Sequence, residues 1–274
     1  MANIRLVDTH CHIHEATLQL EGDNETRTRW LRANKPDPDE MIAEAARNGV
    51  TKLICVGTTV PDSRLAVQFV REREGTWASI GIHPHEAAVY EHDHRALQQF
   101  RDLAVKPKVI AIGEIGLDYY YAHSPKDAQA RMLRFQLDLA IERKLPLIFH
   151  IRDAFADFWP IFDEYKGLRG VVHSFSATEK ELEPVLSRGL YVGLNGIMTF
   201  TKDSRQLTAA KKVPLDRLLI ETDAPFLTPV PFRGKICEPK HACVTAEFLA
   251  QLREEPLEKL AASTTENARK LFGI

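Results

Sequence analysis

"LVDTHCHIH", Leu6 to His14, sets a short hydrophobic run directly before three histidines at every second position. In an extended strand, side chains at i and i+2 share a face, so His10 and His12 point the same way, and Asp8 shares that face. Two imidazoles so placed can hold one metal ion, each with a ring nitrogen about 2 Å from it. The same spacing also fits an ordinary strand with a polar end, so its meaning depends on what the rest of the chain brings to it.

Outward from this stretch, short β-branched runs alternate with amphipathic segments along the whole 274 residues. Strands are expected near Ile4 to Thr9, Lys52 to Gly57, Trp77 to Ile82, Val109 to Glu114, Leu147 to His150, Gly170 to His173, Leu190 to Leu194 and Leu218 to Thr222. Helices fit between them. After Ser124, Ala128, Met132, Phe135 and Leu139 line one helical face, with Ser124 as the cap and Pro125 at the first helical position. Thr178 and Glu181 have capping-box spacing before another helix.

This alternation predicts an α/β protein, a single (β/α)8 TIM barrel with residues 1–274 as one domain, although a doubly wound open sheet shares the local pattern. The polar segment Glu15 to Asp37 reads as a long insertion after strand one, either a lid or a surface loop. After strand eight, "APFLTPVPFRGKICEP" (Ala224 to Pro239) is too broken by proline to be a helix, and two extra C-terminal helices follow it.

Hydrophobic content of 44%, charged content of 27% and a net charge of −2 describe an ordinary globular chain, neither disordered nor strongly basic. Attraction to nucleic acid would therefore have to come from a local patch or from bound metal. Cys11, Cys55, Cys237 and Cys243 form no CxxC pair, and the N-terminus lacks the pattern of a signal peptide, so a reducing, cytoplasmic setting is expected. No apolar run is long enough to cross a membrane, and neither a membrane role nor a stable protein partner is expected.

Ionisable residues recur where the expected strands end. Glu114 ends the fourth, in "IAIGEIGLD"; His150 the fifth, in "LIFHIRDA"; His173 the sixth, in "VVHSFS"; Asp223 the eighth, in "LIETDAP". In a barrel the carboxyl ends of the strands form the catalytic face, so residues from His10 to Asp223 would converge on one mouth. Taken singly, His150 and His173 could be hydrogen-bonded core residues, and Glu114 or Asp223 could pair with a base such as Arg152. Taken together, two histidines from strand one, two from later strands and two acids suffice for two divalent ions, with Glu114 as the bridge.

Oxygen ligands suit Mg²⁺ or Mn²⁺ and imidazoles suit Zn²⁺ or Mn²⁺. A water shared by two such ions could attack an ester directly, with Asp223 accepting or relaying its proton. Glu221 shares Asp223's strand face and is an acid/base candidate or an inward salt-bridge partner. His83, His85, Arg152, Arg233 and Lys235 are candidate substrate contacts, the cations suiting phosphate. His14 is not counted as a ligand.

Several segments together resemble the TatD family of metal-dependent deoxyribonucleases: "VDTHCHIH", "GIHPH" (Gly81 to His85), "IGEIGLDYY" (from Ile112), "FHIRDA", "HSFSA", "ETDAPFL", "RGKICEP" and "TTENARKLF". The resemblance implies that His10, His12, Glu114 and Asp223 bind one metal and that Glu114, His150 and His173 bind the other. It further implies DNA as substrate and phosphodiester hydrolysis of the 3′ to 5′ exonuclease kind. The alternative within hydrolases is cleavage of another ester, such as that of D-aminoacyl-tRNA. The chain departs from the family at His14, usually Asp or Asn, and at Ile236-Cys237, usually Arg-Asn.

Overall fold

The computed structural model describes residues 4–17, 25–33 and 37–274. Eight strands lie in one sheet in chain order: β1 (Leu6–Cys11), β2 (Val50–Val56), β3 (Thr76–Ile80), β4 (Val109–Asp118), β5 (Leu147–Arg152), β6 (Gly170–Val172), β7 (Tyr191–Leu194) and β8 (Leu218–Ile220). The neighbouring pairs are parallel and helices separate the strands, so the fold is a (β/α)8 barrel. Parallel strands are covered on both faces, hence the unbroken apolar runs: Leu147, Ile148 and Phe149 of β5 are all fully buried. The chain forms two compact units, Met1–Cys55 with Ser174–Ile274, and Val56–His173.

In the first unit β1 joins the chain just beyond β8. Cys11 and Ala224 form a parallel bridge, Asp223 N–H donates to His10 O at 2.8 Å, and His12 N–H donates to Ala224 O at 2.8 Å. The C-terminal helices Ala242–Arg253 and Leu257–Phe272 cover these strands from outside. Asn267, in the "TTENARKLF" segment, donates to Leu215 O and Leu218 O at 2.8 and 2.9 Å and so secures the start of β8.

The segment after β1 is not simply a surface loop. It contains a helix, Glu25–Arg32, anchored by Trp30, which is 2% exposed and whose indole N–H donates to His12 O at 3.2 Å. Arg29 of the same helix sets its guanidinium 4.7 Å from the Phe226 ring centroid. Residues 18–24 and 34–36 of the expected insertion lie outside the described residues.

In the second unit, the helix Lys126–Arg143 packs against β4 with Ala128, Met132, Leu133 and Leu137 buried. Two buried glutamines on it fix strand ends. Gln129 accepts Asp118 N–H at 2.8 Å and donates to Asp118 O at 3.0 Å, while Gln136 makes the same pair of bonds to Ile82 at 2.7 and 3.1 Å. Pro125, not Ser124, caps this helix; the Ser124 hydroxyl instead donates to His85 O at 2.7 Å and accepts from Ala88 N–H at 3.1 Å. At Gly116 (φ +147°) a Cβ would sit 1.9 Å from His150 O, so glycine is what lets β4 pass β5 at this level. Back in the first unit, the Thr178–Glu181 capping box forms as expected, Glu181 reaching back to Thr178 N–H at 3.1 Å.

Candidate metal centre

In the first unit, His10 and His12 converge on one carboxylate oxygen. Their Nε2 atoms lie 3.7 and 3.3 Å from Asp223 Oδ1. The strand proper ends at Cys11, but the bond from His12 N–H to Ala224 keeps the backbone extended one residue further, so the alternation brings both rings to the same side. Asp223 has φ +62°, a costly conformation for a non-glycine residue, and its N–H is tied to His10 O. His14 leaves the alternation because the chain turns into a short 3-10 helix at Ile13–Thr17. It does not face solvent: it is fully buried, 6.3 Å from the His12 ring and against Cys55.

Two further carboxylates of this unit are engaged with neighbours. Asp8 accepts Thr222 N–H at 2.9 Å and the Thr222 hydroxyl at 2.6 Å, joining β1 to the end of β8. Burial pushes its carboxyl up to about 8, against those bonds. Glu221 Oε1 accepts Ser174 N–H at 2.6 Å and Asn195 Nδ2 at 3.2 Å. Room for it exists because residue 193 is glycine: a Cβ there would lie 2.3 Å from Glu221 Oε2. Glu221 thereby holds the backbone of the residue that follows His173 in the chain.

In the second unit the centre is Glu114. Its Oε1 lies 2.7 Å from His150 Nδ1, 3.5 Å from His83 Nε2 and 3.9 Å from His173 Nε2. His83, Glu114 and His150 each offer a ligand atom, all within 4.8 Å of one another. Behind them stands Asp118, fully buried at the end of β4. Its Oδ2 lies 2.9 Å from His150 Nε2 and 3.1 Å from His85 Nε2, and its Oδ1 accepts Tyr120 and Tyr121 N–H at 3.0 and 2.9 Å.

The electrostatics follow from that packing. Burial acts to raise the Asp118 carboxyl, but the bonds from His150 and His85 outweigh it and hold it well below the usual carboxylate range. Burial acts to lower His150, but its bonds to Asp118 and Glu114 push it up to about 9. His83 is lowered to about 4 by burial and then by the charge of His150, so its ring is neutral at pH 7 and able to donate a lone pair.

Six residues expected to be ligands therefore lie in two groups, His10, His12 and Asp223 in one unit, Glu114, His150 and His173 in the other. Of the expected substrate contacts, His83 stands against Glu114 and His85 against Asp118. Arg152 is exposed, its guanidinium 4.2 and 4.8 Å from the Tyr120 and Tyr121 ring centroids. Arg233 is also exposed; it lies 3.8 Å from the Phe200 ring centroid and donates to Thr228 O at 2.8 Å. Asp118 was not singled out from sequence. Its spacing from Glu114, four residues along one strand, places both on the same face and was the available signal.

A parallel barrel with histidines and carboxylates at the carboxyl ends of its strands is the framework of a metal-dependent hydrolase. Residues 7–273 match the family model for TatD related DNases, and the chain belongs to that family. It is 36% identical over 272 residues to the uncharacterized metal-dependent hydrolase YabD of Bacillus subtilis, covering 98% of this chain and 99% of that one. It is 38% identical over 243 residues to the 3′-5′ ssDNA/RNA exonuclease TatD of Cronobacter sakazakii, covering 86% and 92%. Among solved structures it is similar to the TatD homologue YJJV of Escherichia coli K12, with a TM-score of 0.85, 27% identity and 99% of each chain covered. Among the described residues no helix is long and apolar enough to cross a membrane.

Proposed function

We propose that the chain hydrolyses phosphodiester bonds of DNA, working from the 3′ end, with two divalent cations (Mg²⁺, Mn²⁺ or Zn²⁺) held by His10, His12, Glu114, His150, His173 and Asp223. The observation that carries this reading is the paired convergence of imidazoles on a carboxylate oxygen: His10 and His12 on Asp223, His150 and His173 on Glu114. Mixed nitrogen and oxygen donors fit such cations, and burial of His10, His12, Glu114 and His173 supplies the dry surroundings. The nuclease named among the relatives supports the substrate class. One family model along residues 7–273 supports a single catalytic domain, and four scattered cysteines favour a cytoplasmic setting.

When bound, divalent cations supply Lewis acidity and lower the pKa of water at the site. The chain's own groups supply the rest. Asp223 accepts the proton of the attacking water, its backbone held in place by the N–H bond to His10 O. Glu114, with its Oε1 2.7 Å from His150 Nδ1 and 3.9 Å from His173 Nε2, would be the carboxylate ligand of the second unit's group. Asp118 accepts the Nε2–H of His150 and would keep the proton on that nitrogen, so that Nδ1, which bonds to Glu114 in the metal-free protein, could exchange its proton for a bound cation. Arg152 is placed to meet a phosphate.

The test is a matrix of metals against substrates. Chelated protein is reconstituted with Mg²⁺, Mn²⁺ or Zn²⁺ and assayed on single-stranded DNA and, in parallel, on D-aminoacyl-tRNA, with Asp223→Asn as control. DNA cleavage that needs metal and is abolished by Asp223→Asn is expected. Full activity in stripped protein overturns the metal mechanism, and cleavage of D-aminoacyl-tRNA without DNA overturns the substrate.

A further inference from the structure

The strand that carries Glu114 runs straight into Tyr119, Tyr120 and Tyr121. Tyr120 and Tyr121 are 59% and 52% exposed, and among the described residues no other Phe, Trp or Tyr side chain is exposed. Single exposed apolar side chains are ordinary on protein surfaces. Two consecutive ones held rigidly beside a ligand histidine are not. Both backbone N–H groups donate to Asp118 Oδ1, at 3.0 and 2.9 Å, while the other oxygen of the same carboxylate takes His150 Nε2 at 2.9 Å. One buried carboxylate thus fixes the tyrosine turn relative to His150.

The surface around the two rings is aromatic and cationic. Their centroids are 4.9 Å apart at an interplanar angle of 89°. Arg152 holds its guanidinium 4.2 Å from one centroid and 4.8 Å from the other, and its carbonyl accepts Tyr119 N–H at 3.0 Å, so β5 and the tyrosine turn move as one. His123 stacks on Tyr121 with 5.8 Å between centroids and 9° between planes, and His85 meets its edge at 5.5 Å. Flat π surfaces beside a fixed guanidinium suit a planar base and the phosphate attached to it. A base inside a duplex is stacked on both sides and paired at its edge, and cannot lie on them.

Resting on the nuclease reading above, we propose that Tyr120, Tyr121 and Arg152 form a subsite in which one unpaired base next to the scissile phosphodiester stacks on one tyrosine ring and meets the perpendicular one at its edge, and that this subsite selects single strands. A base on one aromatic side chain is worth roughly 5- to 150-fold in binding. The expected loss on removing the platform is therefore about tenfold or more, expressed mainly in KM.

The test uses metal-loaded protein and a single-stranded oligonucleotide. It is compared with versions in which a tetrahydrofuran abasic residue replaces, one at a time, each of the three nucleotides nearest the cut. At one position the abasic residue should lower the wild type's kcat/KM about tenfold. Tyr120→Ala and Tyr121→Ala should lose a similar factor on the intact strand and little more on that abasic strand. Tyr→Phe at either position should keep the wild-type preference, and duplex substrate should be cut equally poorly by all. If the alanine and abasic losses multiply, or the alanine variants cut like the wild type, the subsite is refuted while the nuclease reading stands. If the wild type cuts no strand with any metal, both fall.

Discussion

Replacing Asp118 by asparagine changes one atom, yet it should cost more in metal affinity than in fold. The carboxylate accepts from two sides: Tyr120 and Tyr121 N–H at Oδ1, His85 and His150 Nε2 at Oδ2. An asparagine has one acceptor. The backbone N–H groups cannot change character, but an imidazole can change tautomer, so the amide oxygen should go to the tyrosines and its NH₂ to the histidines. His150 would then carry its proton on Nδ1, the atom 2.7 Å from Glu114 Oε1 and the one the proposed metal site would need. Loss of such a supporting carboxylate typically costs about 10- to 100-fold in metal affinity. The fold loses only the charge-assisted part of the two imidazole bonds, about 1 kcal/mol each. Asp118→Ala is the contrast, since four part-buried donors lose their acceptor and the cost should reach about 4 kcal/mol. Chelator competition reads metal affinity, and denaturant unfolding of stripped protein reads the fold. If Asp118→Asn binds divalent metal as tightly as the wild type, the tautomer argument is wrong.

Three other outcomes follow from the same geometry. His83→Ala should lower metal retention with little change in oligonucleotide KM, because its Nε2 is 3.5 Å from Glu114; a raised KM with normal metal content would return His83 to substrate binding. In stripped protein, the stability difference between wild type and His150→Gln should depend on pH. With the folded pKa raised to about 9, the wild-type advantage is complete below the unfolded value of about 6.5 and fades by about 3 kcal/mol as pH rises through 9. Parallel melts from pH 6 to 9.5 check this, and a constant gap would refute it. Gly193→Ala should drive Glu221 off Ser174 N–H and destabilise by about 1–3 kcal/mol in urea unfolding, whereas an unchanged midpoint would mean that the carboxylate has room to move.

The barrel was legible because parallel strands buried on both faces must be apolar along their length, and each of the eight expected strands is present with its ends shifted by only a few residues. What was not legible has a common physical source, side chains whose role depends on a distant partner. Gln129 and Gln136 looked like polar positions on a helix, yet both are buried and bonded to strand ends. Ser124 has the right neighbour for a cap, but a carbonyl at His85 was nearer and took its hydroxyl. Trp30 sits in a stretch too polar to suggest burial, yet its ring is buried, its indole N–H donates to His12 O, and Arg29 of the same helix meets Phe226.

For the site, periodicity served where the backbone stayed regular and failed where it turned. His10 and His12 keep the strand alternation through the bond from His12 N–H to Ala224, and both reach Asp223. His14 continues the alternation on paper only, because the helical turn at Ile13–Thr17 carries it to Cys55. Along β4 the same rule would have paired Asp118 with Glu114, but a carboxylate that touches no expected ligand atom by sequence gives no reason to be chosen. Its role emerges only when four donors are seen to meet on it: two from the tyrosine turn and two from histidines of other strand ends. That convergence is why one buried acid can set both the tautomer of His150 and the position of the exposed rings, and why the two should fail together when Asp118 is removed and separately when Tyr120 or Tyr121 is.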